Sequence, residues 1–97
     1  MTYFAVTYTY SPDSDIITDL RPTHREFISG LKDKGHIVGS GPFTDGDGGA
    51  LIVLELEDGS TLADAEALIN GDPFHSEGAL ENRSIRVWNP VIKSFGE

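Results

Sequence analysis

The sequence contains no cysteine. Disulfides, thiolate nucleophiles and cysteine-ligated zinc are therefore excluded. Bases are scarce: 7 lysines and arginines stand against 16 aspartates and glutamates, a formal charge of −9. Such a chain repels a phosphate backbone, and no Lys/Arg cluster offsets the repulsion. No nucleic acid and no anionic membrane surface is expected as a partner. No apolar run approaches the roughly 18–20 residues that a membrane span needs. The opening "MTYFAVTYTY" lacks a basic region and alternates as a strand does. No signal peptide is expected, and a cytoplasmic location fits. Cofactor motifs are missing too. No Gly-rich phosphate loop joins a strand to a helix, and His24, His36 and His75 lack metal-ligand spacing, so the expectation is no cofactor and no metal. The run "DGDGG" (Asp45–Gly49) resembles the start of a calcium loop. The last position of such a loop needs a bidentate glutamate, and here it is Leu56, inside an apolar strand. The run reads as a turn.

What is present suits one compact domain over residues 1–97. Hydrophobic residues make up 38% of the chain and charged residues 24%, which is ordinary for a globular protein. Residues 2–10, "TYFAVTYTY", are aromatic and β-branched and read as a strand. "SPDSD" breaks it. A helix is expected over about 22–34, with Pro22 in its first turn. Residues 15–20 form an irregular or separately helical lead-in, and Gly35 is the stop. "HIVGSGPF" (36–43) and "ALIVLELE" (50–57) read as two strands joined by the "TDGDGG" turn. Thr61 or Ser60 can cap a second helix through about Asn70, with Leu62, Ala65, Leu68 and Ile69 on its apolar stripe. "RSIRVWNP" (83–90) is the last strand. The order β-α-β-β-α-β is the ferredoxin-like arrangement: an α+β fold with a four-stranded antiparallel sheet and both helices on one face.

The third strand adds a consequence. Leu51 and Val53 point one way, and Ile52, Leu54 and Leu56 the other. Two helices cover one face, and no sequence is left to cover the second. A second copy of the sheet, related by two-fold symmetry, is the expected cover. The chain is therefore expected to form a homodimer, with the two sheets closing into a barrel.

The segment "LRPTHREFISGL" (Leu20–Leu31) places a histidine on a face that should be buried. His24 shares a helix face with Arg21 and Phe27, the stripe that packs on the sheet. It reads either as a core histidine with a satisfied hydrogen bond or as a working group in a pocket. The best orienting partner is Asp72 in "GDPF", just past the second helix. An aspartate before proline also has a plain role, capping the turn. His36 begins a strand and reads as exposed. His75 follows "DPF" and reads as a surface residue or a pocket edge.

"RPTHREFISGL", "GSGPFTDGDGGALIVLE", "ADAEALINGDPF" and "IRVWN", in that order, resemble the YCII-related (YciI-like) family over nearly the whole chain. The resemblance implies a ferredoxin-like fold in a dimeric α+β barrel. It also implies a functional pair, a histidine on the first helix and an aspartate before proline, at His24 and Asp72. Arg21 matches the arginine three before the histidine. "HSEG" after "DPF" is more polar than the pattern.

With that implication, His24 and Asp72 become catalytic candidates. Asp72 would accept from one ring N–H and steady the imidazolium, while the other nitrogen met a substrate. Arg21 either holds an anionic substrate oxygen or pairs with Asp72. Tyr8, Trp88 and His75 are candidates for pocket walls, with core packing the alternative for Tyr8 and Trp88. The expected function is cofactor-independent acid–base chemistry on a small cyclic or enolisable molecule, as an isomerase or a dehydrochlorinase-like lyase. The alternative is a small-molecule-binding or sensing dimer without catalysis.

Overall fold

Alternation along the first strand, β1 (Thr2–Thr9), decides the layering. Phe4, Val6 and Tyr8 are buried beneath the helices, while Ala5 and Thr7 turn to the opposite face. The computed structural model describes residues 1–95, so the last two positions of the expected 1–97 domain lie outside the described residues. The other elements follow as α1 (Asp15–Asp33), β2 (Ile37–Pro42), β3 (Ala50–Leu56), α2 (Leu62–Ile69), α3 (Pro73–Ser76) and β4 (Asn82–Trp88). The sheet order is β2-β3-β1-β4, and every neighbouring pair is antiparallel. This is the expected ferredoxin-like α+β fold. Its core joins Phe4, Val6, Ile52 and Leu54 of the sheet to Ile17, Leu31, Ala65 and Ile69 of the helices. Each large apolar side chain so buried contributes roughly 1.5–3 kcal/mol.

Helix α1 departs from expectation. It is one continuous helix from Asp15, with Pro22 inside it rather than in its first turn. The true start signal is Ser14, whose Oγ accepts from the Ile17 N–H at 3.3 Å. Proline removes the donor that would meet the Thr18 carbonyl. Thr18 and Pro22 are both exposed, so solvent can take that place. Gly35, at φ +80°, ends the helix. The His36 N–H donates to the Leu31 carbonyl and the Gly35 N–H to that of Lys32, both at 2.9 Å. These are the two bonds of a Schellman stop.

Helix α2 is capped by Thr61, in a reciprocal box with Asp64. Ala65 and Ile69 are buried and Leu68 is half-buried, but Leu62 is 47% exposed and does not join the stripe. It stands in the first turn, before the helix has reached the core. The short helix α3 was not anticipated: "DPFHS" reads as a stop but contains its own start, with Asp72 as cap and Pro73 in the first turn. His36, expected exposed, is half-buried beside β2.

The face opposite the helices also differs from expectation, because the chain after β4 folds back onto it. Phe95 packs edge-on against Tyr3, with ring centroids 5.5 Å apart, and stacks on Trp88 at 6.2 Å. Tyr3 is buried as a result. The cover is partial: Phe43, Leu51 and Trp88 stay exposed around a shallow hollow.

Candidate functional site

Gly71 permits the site to assemble. A Cβ there would lie 2.9 Å from Cε1 of Phe27, so the missing side chain lets the turn after α2 close against α1. That turn delivers Asp72 to His24. Asp72 is fully buried, at 0% exposure. Three donors converge on its carboxylate. The Tyr8 hydroxyl donates to Oδ2 at 2.7 Å, and the Phe74 N–H donates to Oδ1 at 3.0 Å. His24 Nδ1 lies 2.9 Å from Oδ1 and 2.8 Å from Oδ2. In the neutral ring, an acceptor-only carboxylate places the proton on Nδ1 and leaves the lone pair on Nε2. No buried side-chain polar atom lacks a partner among the described residues.

The His24 ring is held twice over. Besides the carboxylate, it stacks on Phe74 with centroids 4.1 Å apart and planes within 6°. Its side chain keeps 11% exposure. Tyr8 is a buried donor beneath the pair. Burial, then the Asp72 charge and hydrogen bond, holds its phenol well above the ordinary tyrosine range, with Arg83 pulling weakly the other way. It therefore stays protonated and keeps donating.

His24 forms part of the wall of a cavity of about 400 Å³ between α1 and β2. That volume lies within the usual range for a small-molecule site. Arg21 lines the same cavity and is half-buried. Of the two roles open to it, pairing with Asp72 is not adopted; the aspartate's side-chain partners among the described residues are Tyr8 and His24. Apolar surface comes from Ile28, Ile37, Val38, Pro42 and Phe74.

None of the three expected wall residues lines the cavity. Trp88 borders the hollow on the opposite face of the sheet, since it pairs with Tyr3 and shares that residue's side. His75 is exposed on α3 and does not line the cavity. Tyr8 is a core residue beneath the dyad rather than a wall. Residues not anticipated as lining are Arg25, Ser29 and Lys32. Their signal was present: they follow Arg21 at intervals of four, eight and eleven along one helix and so share its face. Strand β2 from Val38 to Pro42 borders both the cavity and the opposite hollow.

Residues 1–89 match the family model of the YCII-related domain. The chain belongs to the YCII-related family. No curated protein matches it in sequence. Among solved structures, it is similar to 5-chloro-2-hydroxyhydroquinone dehydrochlorinase from Burkholderia phenoliruptrix AC1100, in complex with 2,5-dihydroxybenzoquinone. The TM-score is 0.74 over 90% of this chain and 93% of that one, at 19% sequence identity. At that identity the likeness is one of fold. Among the described residues of this YCII-related chain, no helix is long and apolar enough to cross a membrane, and no three His, Cys, Asp or Glu residues form a metal-binding group.

Proposed function

We propose that this YCII-related protein, a single domain over residues 1–97, is a cofactor-independent enzyme. In this reading the His24–Asp72 dyad moves a proton to and from a small cyclic or enolisable substrate, in an isomerisation or an elimination. One observation carries the reading: a histidine at a cavity wall has one nitrogen held by a buried carboxylate and the other without a hydrogen-bond partner among the described residues. Nε2 takes a proton from a carbon beside a carbonyl. Asp72 stabilises the resulting imidazolium and holds the ring in place. Arg21 meets the negative charge that develops on the carbonyl oxygen. The imidazolium then returns the proton at another carbon, or the carbanion expels a leaving group as an anion and the imidazolium releases its proton to solvent. The structural relative named above is a dehydrochlorinase.

The reading includes a homodimer formed through the sheet face opposite the helices. Leu51, Phe43 and Trp88 are exposed there, and Val91 and Ile92 beyond β4 are 83% and 95% exposed.

Solvent deuterium exchange tests the chemistry. A panel of cyclic ketones and hydroxyquinones is incubated in D2O, and carbon-bound protons are followed by NMR. At least one compound should exchange with the native protein and not with His24→Gln. Exchange that persists in His24→Gln refutes the dyad mechanism. Binding without exchange across the panel favours a sensing dimer instead.

A further inference from the structure

The charges on α1 are sorted by face. Projected at about 100° per residue, Arg21, Arg25 and Lys32 fall within roughly 40° of one another. Asp15, Asp19, Glu26 and Asp33 also fall within roughly 40° of one another, on a stripe about 120° away. No acidic residue stands three or four positions from any of these three bases, so none has a helical ion-pair partner. All three line the cavity, and among the described residues no carboxylate does. In a chain of charge −9 with only 7 lysines and arginines, that concentrates positive charge on one surface. The helix dipole gives Lys32 a plain reason to stand in the last turn. It gives none for Arg21 and Arg25 in the middle of the helix. Like charges at adjacent turns destabilise a helix, and a bound anion offsets that repulsion.

The three cations are also spread along the axis. Arg21 and Arg25 bracket His24, whereas Lys32 lies eight residues further on, about 12 Å of helical rise. Ile28, between them, offers apolar surface, faced by Ile37 and Pro42 of β2.

We propose that the cavity takes an organic acid. Its small apolar skeleton carries a carboxylate or phosphate that is ionised at neutral pH. Arg25 and Lys32 hold the acid group, and the reacting end lies against His24 and Arg21. The acid-binding rim rests on the proposed catalytic reading only for what happens at the His24 end.

Titration of the 15N-labelled protein with benzoate, phenyl phosphate and benzamide tests it. These probes share a ring and differ in charge. At least one of the acids should shift resonances of α1 and β2, with a Kd roughly tenfold or more below that of benzamide. The two acids tell carboxylate from phosphate: the tighter one assigns the group. Arg25→Gln and Lys32→Gln should each weaken the acid by roughly two- to fivefold, the range of exposed ion pairs, and leave benzamide unchanged. Raising salt from about 50 to about 500 mM should weaken the acids and spare the amide. Both substitutions are at exposed positions, and the same spectra report whether the fold is kept. Equal binding of benzamide, no response to either substitution, or no shift by either acid overturns the proposal. His24→Gln separates the two ideas. It should retain acid binding, so lost charge preference refutes the acid rim, whereas exchange surviving in that variant refutes the dyad chemistry.

Discussion

Removing the Asp72 carboxylate should strand the groups around it, and the sign of a second substitution tells whether it does. In Asp72→Ala, the Tyr8 hydroxyl, the Phe74 N–H and His24 Nδ1–H lose their acceptor. His24 keeps some exposure and can turn toward solvent. Tyr8, at 1% exposure, cannot, and neither can the N–H of the buried Phe74. Two orphaned donors at about 1–3 kcal/mol each give about 2–6 kcal/mol of destabilisation. A small domain has about 5–15 kcal/mol in all, so the variant should unfold at a much lower urea concentration. At about 4–8 °C per kcal/mol, its Tm should fall by about 8 °C or more. Tyr8→Phe alone removes one hydrogen bond to a charged group and should cost about 1.5–3 kcal/mol. Added to Asp72→Ala, the same change removes an orphan and should restore about 1–2 kcal/mol. The assay is urea unfolding of the four proteins at matched slopes. If Tyr8→Phe destabilises both backgrounds alike, the phenol is held by packing and the hydrogen-bond account of this cluster is wrong.

Three further outcomes are expected. In the folded protein Tyr8 holds its proton above pH 10.0, where an unfolded tyrosine ionises. The folded state then binds more protons, so this contribution is intact below about pH 10 and lost above it, by up to about 1.4 kcal/mol per pH unit; Tyr8→Phe should flatten that limb in alkaline unfolding curves, and an unchanged limb counts against the assignment. Gly71→Ala should push the turn away from Phe27 and cost about 1–2 kcal/mol, with the Nδ1 proton signal of His24 weakened in NMR; an unaltered signal and melting point would mean that Phe27 yields freely. Leu51→Lys on the open sheet face should shift light-scattering mass toward monomer at micromolar concentration with little effect on monomer stability, and a native protein that is already monomeric there removes the proposed dimer.

Much of this fold was legible because its elements are locally consistent. The apolar run Ala50–Leu54 of β3 and the alternation of β1 sit in strands as written, and Gly35 ends α1 as its freedom at positive φ requires. The start of α1 was misread because Pro22 is a stronger local signal than Ser14, although the capping hydrogen bond belongs to Ser14. The dyad was legible as a pair of residues but not as a choice of role. Asp72 caps α3 and holds His24 with the same carboxylate, so the structural and the functional readings of it were never exclusive. Tyr8 was legible as a core residue; that its hydroxyl reaches Asp72 depends on the register of β1 against the turn after α2. The misplacement of Trp88 has a simple cause: strand parity sets its side, and its pairing with Tyr3 rather than Phe4 was not available from a single strand.

Strand β2 separates two environments with one layer of backbone. Ser40 and Pro42 pair with Ile52 and Ala50 on the helix side, while Gly39 and Gly41 pair with Val53 and Leu51 on the other. Nothing lies within 4 Å of where a Cβ at either glycine would stand. Larger side chains at 39 and 41 would therefore grow away from the cavity beside His24, and changes at 40 and 42 would grow into it. The pleat lets the lining of the cavity and that of the opposite hollow change separately along one six-residue segment, each on its own set of alternating positions.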